Sequence, residues 1–256
     1  MPKYFDIHSH LQAAQFDQDR EGVLRRLKES GTYTIVIGTD IDSSRRAVEL
    51  AEANEGIYAC IGVHPVDDPK RKFEKEVFDE LSKSEKVVAV GECGMDFFQT
   101  KKEEDYERQR NLFVEQINFA LEKDLPIMIH ARSAYAEILE ILEPLKKEYG
   151  EKLRGNSHFF AGDWETARRF FNIGFSVSFT GVITFTRDYD EVIKKAPLAM
   201  IHAETDSPYV APVPYRGQRC EPAYVSEVYK RLASIRGEEP EALRQALVNN
   251  ALRMLV

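Results

Sequence analysis

Eight short apolar runs rich in β-branched residues alternate with longer segments of helical period, and no other feature of the chain restricts its fold as strongly. Each run suits one buried strand and each long intervening segment one crossover helix, which is the signature of parallel βαβ units. The runs are residues 4–8, 34–38, 57–63, 87–92, 126–130, 155–159, 174–178 and 199–203. Helices are expected over 17–30, 43–54, 103–123, 134–149 and 164–172, with two closing helices near 222–235 and 240–255. The segment 103–123 is the clearest, because Phe113, Ile117, Ala120 and Leu121 recur at helical spacing with charges on the other face. Eight such units favour closure into a (β/α)8 TIM barrel, with an open doubly wound sheet as the runner-up.

At 256 residues the chain fits one domain, 1–256, since barrels of this kind reach that size without a second core. No linker or low-complexity tract interrupts it, and the Pro-rich stretch 208–222 after the last strand reads as an active-site loop. The opening residues lack the pattern of a signal peptide, and no apolar run approaches the ~20 residues that span a bilayer. The expectation is a cytoplasmic protein with no membrane attachment and no obligate protein partner. Cys60, Cys93 and Cys220 are too few and too scattered for a disulfide framework or a structural zinc site, and are expected to be reduced, buried small hydrophobes. A formal charge of −8 argues against coating nucleic acid through a broad basic face. It leaves room for an enzyme that handles one phosphate at a time, where bound divalent metals would supply the local positive charge.

The chemistry concentrates at the carboxyl ends of the runs. His8 and His10 follow the first, His64 the third, Glu92 ends the fourth, His130 ends the fifth, His158 lies in the sixth and Asp206 follows the eighth. In a closed parallel barrel these ends converge on one mouth, where such enzymes place catalytic groups. Imidazoles and carboxylates are ligands for zinc, manganese or related divalent ions, and open coordination positions let those ions activate water. His8 and His10, two residues apart at a strand end, project to the same side and can grip one ion. His202 lies inside the eighth run without a partner and is read as structural.

At these residues the chain resembles the TatD family of metal-dependent deoxyribonucleases, among the amidohydrolase-like barrels. The resemblance runs nearly end to end, through Phe5-Asp6-Ile7-His8-Ser9-His10-Leu11, Gly62-Val63-His64-Pro65, Gly91-Glu92-Cys93-Gly94-Met95-Asp96-Phe97-Phe98, Pro126-Ile127-Met128-Ile129-His130-Ala131-Arg132 and Glu204-Thr205-Asp206-Ser207-Pro208-Tyr209, with Arg216-Gly217 and Glu221-Pro222 beyond. It implies a site for two divalent ions, zinc, manganese or magnesium, in which His8, His10 and Asp206 hold one, His130 and His158 the other, and Glu92 bridges them. It also implies DNA as substrate. Water held between the ions would be the nucleophile, with Asp206 accepting its proton.

Arg132 is a candidate phosphate clamp, since its planar fork suits two oxygens; the alternative is a surface ion pair. His64 could contact the substrate phosphate or orient a leaving group; the alternative is a hydrogen bond within its own loop beside Pro65. Asp96 is expected to orient a metal ligand, the alternative being a hydrogen bond to its loop, and Phe97 and Phe98 to pack in the core, the alternative being stacking surfaces for bases. The chain departs from the family pattern at Phe159-Phe160-Ala161, at Cys220 and at Val66, none of which is a candidate ligand; the departures bear on substrate preference. The competing functional class is hydrolysis of an amide, lactone or aminoacyl ester, because the same activated water attacks carbonyls. A non-catalytic metal-binding protein fits less well, because Asp206 and Arg132 would be surplus around a closed structural site.

Overall fold

The computed structural model describes residues 1–255. Eight parallel strands run in the order in which they occur in the chain: β1 (Tyr4–Ser9), β2 (Thr32–Ile37), β3 (Ile57–Ile61), β4 (Val87–Asp96), β5 (Ile127–Arg132), β6 (Gly155–Ser157), β7 (Ser176–Phe179) and β8 (Ile201–Ala203). Past the end of β8 the sheet closes on β1. The Asp206 amide donates to the His8 carbonyl at 2.9 Å and the His10 amide to the Ser207 carbonyl at 2.7 Å. The buried Asp6 carboxylate reinforces this seam by accepting from the amide and the hydroxyl of Thr205 at 2.8 and 2.6 Å. The barrel expected from the alternation is the fold observed.

The helices follow as α1 (Arg20–Ser30), α2 (Ile41–Ala53), α3 (Lys75–Leu81), α4 (Lys102–Lys123), α5 (Tyr135–Tyr149), α6 (Trp164–Asn172), α7 (Asp190–Lys195), α8 (Val225–Arg236) and α9 (Pro240–Arg253). The first starts three residues later than the sequence period indicates, because a 3-10 turn at Ala14–Phe16 precedes it. Asp40 caps α2 by accepting from the Ser43 amide while Ser43 returns the bond, which fixes the entry of that helix. The outward strand faces, such as Ile127 and Ile129, pack under the helices with Phe113, Ile117 and Ala120 of α4. Inside the barrel lies a second cluster, Phe5, Ile7, Ile35, Ile37, Cys60, Val88 and Met128, on which the end of α9 rests.

Of three one-residue irregularities in the sheet, one lies lower in β4 between Val87 and Ala89, and the two nearer the mouth set what faces inward. Between Asp6 and Ser9, β1 carries one residue more than β2 does between Thr34 and Val36, and between Val90 and Cys93, β4 carries one more than β5 does between Ile127 and Ile129. A bulge of this kind re-aims the side chains that follow it. Glu92 and His8 sit within these irregular segments. Glycine permits the close approach of strands there: a Cβ on Gly94, at φ +144°, would lie 2.0 Å from the His130 carbonyl oxygen.

Candidate metal centre

The mouth gathers every residue expected there except Arg132 around one carboxylate. Glu92 Oε2 faces His8 Nε2 at 3.4 Å and His10 Nε2 at 3.7 Å, and Asp206 Oδ1 stands 3.6 and 3.3 Å from the same two nitrogens. Glu92 Oε1 faces His130 Nδ1 and His158 Nε2, both at 2.7 Å, and His64 Nε2 at 3.6 Å. One carboxylate thus addresses two groups of imidazoles with its two oxygens. The strand ends differ a little from those read in the sequence. β4 and β5 continue past Glu92 and His130 to Asp96 and Arg132, while β6 stops at Ser157 and leaves His158 on the first residue of the loop.

The donor set fits divalent ions. His10 Nδ1 is 3.1 Å from the Ile37 carbonyl and donates to it, which leaves Nε2 with its lone pair toward the site. His8 Nε2 and His10 Nε2 come within 3.2 Å, and the His8 and His158 rings stack at 3.9 Å, so several nitrogen lone pairs are crowded into one buried volume. Among the described residues, three clusters have ligand atoms close enough to hold an ion: His8, His10 and Glu92; His64, Glu92 and His130; and His8, His158 and Glu204. Burial alone would raise the Glu92 carboxyl, yet the His158 charge and hydrogen bonds from His130, His158 and His8 hold it well below the usual range. Asp206 is likewise lifted by burial but brought below its ordinary value by the His10 hydrogen bond and the charges of His8 and His10. Both carboxylates are therefore ionised, as ligands must be.

Supporting residues fix the imidazoles. Asp96 is fully buried, with Oδ2 3.1 Å from His130 Nε2, and its Oδ1 accepts from the amides of Phe98 and Gln99. Burial opposes its ionisation, but the His130 hydrogen bond and those amides prevail and bring its pKa to about 2. Asp96 thus turns the Nδ1 edge of His130 toward Glu92 and holds its own loop as well. Sequence reasoning missed four others. Glu204 Oε1 lies 3.7 Å from His158 Nδ1, and Glu204 also accepts from the Phe159 amide and the Ser178 hydroxyl. Asp67 Oδ1 stands 2.7 Å from His64 Nδ1. Gln109 and Gln116 of α4 clamp the backbones of Asp96 and Val63, each both donating and accepting. Their signal was two uncharged polar residues seven apart on the apolar stripe of α4.

His64 makes the bond within its own loop, to Asp67 through Nδ1, and its Nε2 faces Glu92 at the edge of the site. Arg132 lies at the exposed end of β5, and its guanidinium is stacked 3.8 Å over the Phe98 ring, so its neighbour is an aromatic face and not the carboxylate of an ion pair. The expectation for the two phenylalanines divides. Phe97 packs on the core, whereas Phe98 is 67% exposed. His202 is buried in β8 as a structural residue, with burial and Arg253 pushing its pKa down to about 3. All three cysteines are buried and free. Asp206 and Phe159 both take positive φ, 55° and 44°, a conformation costing on the order of 1–3 kcal/mol that tends to persist at functional sites.

A (β/α)8 barrel with a buried histidine–carboxylate cluster at its C-terminal mouth defines a metal-dependent hydrolase of the barrel class. Residues 5–255 match the model of the TatD related DNase family, and the chain belongs to that family. It is 39% identical over 254 residues to an uncharacterized metal-dependent hydrolase of Bacillus subtilis, YabD, covering 98% of both chains. It is 32% identical over 266 residues to the 3'-5' ssDNA/RNA exonuclease TatD of Cronobacter sakazakii, covering 98% of this chain and 97% of the relative. Among solved structures it superimposes on the Escherichia coli TatD homologue YjjV with a TM-score of 0.89 at 31% identity, covering 98% and 97% of the two chains.

Proposed function

We propose that this chain hydrolyses phosphodiester bonds of DNA, using two divalent ions, zinc, manganese or magnesium, held at the mouth. The observation that carries the reading is the division of Glu92 between two donor groups, with the Arg132 guanidinium exposed at the end of the neighbouring strand. His8, His10 and Asp206 would hold one ion, His130 and His158 the other, and Glu92 would bridge them. When bound, such ions activate water and offset the charge that develops on phosphate.

The residues of the chain divide the remaining work. Asp206, kept ionised by His10 and His8, accepts a proton from the attacking water as the water oxygen bonds to phosphorus and the ester P–O bond breaks, and the departing alkoxide takes a proton from solvent. Arg132 offers a planar fork to two phosphate oxygens. His64, held by Asp67 with Nε2 toward Glu92, contacts the substrate phosphate. The relative named as a single-strand exonuclease supports nucleic acid as the substrate class. Three buried, unpaired thiols support a reducing compartment, the cytoplasm, as the place of action; among the described residues no helix is long and apolar enough to cross a membrane.

The test is removal and return of metal, followed by a substrate panel. Chelation should abolish turnover and added divalent ion should restore it, with metal content measured in parallel; full turnover by metal-free protein would sink the reading. With metal restored, a phosphodiester should be cleaved in preference to a lactone and an aminoacyl ester. Asp206→Asn should lower kcat by about a hundredfold or more.

A further inference from the structure

The large hydrophobic side chains left exposed among the described residues are Met1, Phe98, Tyr149, Phe185, Tyr209 and Val213. Four of these belong to three loops at the mouth: Phe98 follows β4, Phe185 follows β7, and Tyr209 and Val213 follow β8. Two of the exposed rings are covered by arginines, Phe98 by Arg132 at 3.8 Å and Phe185 by Arg216 at 3.6 Å. The first stack stands on the β4–β5 side of the mouth and the second on the β7–β8 side, across the ring of strands. A guanidinium lying on an exposed ring offers two things together, a fork for phosphate oxygens and, at the other face or edge, a surface on which a base can stack.

The second stack is joined to the metal centre through the chain. The Tyr209 ring sits 6.2 Å from the His10 ring, so it forms part of the wall of the centre. Beyond it, Gly181 is so close to Val210 and Pro212 that a Cβ would lie 2.5 Å from the Val210 carbonyl oxygen. The Val213 amide then donates to the Thr184 hydroxyl at 2.9 Å, one residue before Phe185. Phe185 and Arg216 are therefore set at a fixed remove from Asp206 by packed loops. We propose that Phe185 and Arg216 form a second nucleotide subsite, which takes an unpaired base and its phosphate from a strand laid across the mouth past Tyr209. The inference rests on the phosphodiester reading above and adds to it where the strand goes. An unpaired strand fits because stacking needs free base faces, and two arginines suit a protein whose charge of −8 leaves no broad basic track.

The test compares three substrates on the metal-loaded enzyme: bis(p-nitrophenyl) phosphate, which is too small to span the mouth, a thymidine hexanucleotide, and the same hexanucleotide in a duplex. Phe185→Ala and Arg216→Gln should raise KM for the single-stranded hexanucleotide by about tenfold more than for the chromogenic diester. Phe185→Tyr should restore it, which separates loss of stacking from loss of fold. In the presence of a chelator, fluorescence anisotropy of the labelled hexanucleotide should show the same weakening, and the single strand should bind more tightly than the duplex. Equal losses on both diesters, an unchanged KM for the hexanucleotide, or tighter binding of the duplex would overturn the subsite. Absence of diester cleavage by the unaltered enzyme would instead remove the reading beneath it.

Discussion

The two ends of the barrel are made from the same strands and have opposite chemistry. At the floor, Phe5 and Ile7 of β1, Ile35 and Ile37 of β2 and Met128 of β5 fill the interior, while Tyr58 stacks on Phe5 at 6.1 Å and the end of α9 closes below. One residue beyond Ile7 stands His8, two beyond Met128 stands His130, and His10 follows just past the end of β1. The floor is apolar and interdigitated; the mouth buries ionisable groups against one another and holds Asp206 and Phe159 at positive φ. What the contrast teaches is a division of labour. The floor supplies the stability that lets the mouth keep charges and strain that no well-packed core would hold.

That division can be broken most forcefully by one substitution at each end. Phe5→Ala should cost about 3–5 kcal/mol of unfolding free energy by denaturant titration, while protein that remains folded keeps its metal content. Glu92→Gln should do the reverse, losing metal and lowering kcat by about a hundredfold or more with the far-UV spectrum of the barrel retained. Metal loss in folded Phe5→Ala protein would show that the ends are not separable.

Within the mouth, Asp96→Asn keeps shape but removes the charge that orients His130. Metal affinity should fall by about 10–100-fold, read by competition with a chelating dye. An unchanged affinity would reduce Asp96 to a loop-holding residue.

A buried neutral histidine outside the mouth sharpens the comparison through pH. His202 titrates in the folded protein near 3, below its ordinary value of 6.5. Its folded pKa is depressed, so the unfolded chain takes up a proton that the folded chain refuses. Its contribution to stability is complete above pH 6.5 and is lost as pH falls from there toward 3. At pH 5 the loss should be about 1–2 kcal/mol. His202→Asn should flatten the stability profile between pH 7 and 5 relative to the unaltered protein; parallel profiles would dismiss this account.

The smallest effect belongs to the rim. Arg132→Lys retains charge but loses the fork, so turnover of a phosphodiester should fall by about tenfold, with metal content intact and a much smaller loss on an ester without phosphate. Equal losses on both would make Arg132 a support for the loop.

The sequence by itself determined the architecture and the cast of the site. Eight apolar runs with helical segments between them specify parallel strands that need helices on their outer faces, while closure is decided by the seam where Asp206 and His10 bond across from β8 to β1. Because every parallel strand ends at the same mouth, His8, His10, His64, Glu92, His130, His158 and Asp206 could be brought together on paper from their places after the runs. Tertiary structure alone decided how they face. A strict alternation would put Ile7 and His8 on opposite sides of β1, and the extra residue before Ser9, like the one before Cys93, depends on hydrogen bonding to a neighbouring strand that local sequence does not contain. The same holds for Phe98, an ordinary core residue by type, which Arg132 meets from 34 residues away. It holds too for Glu204 and Gln116, whose roles appear only when β6, β7 and α4 are packed against the strand ends they steady. Period-two and period-3.6 patterns report burial along one element, whereas the aim of a ligand is set by the register between two.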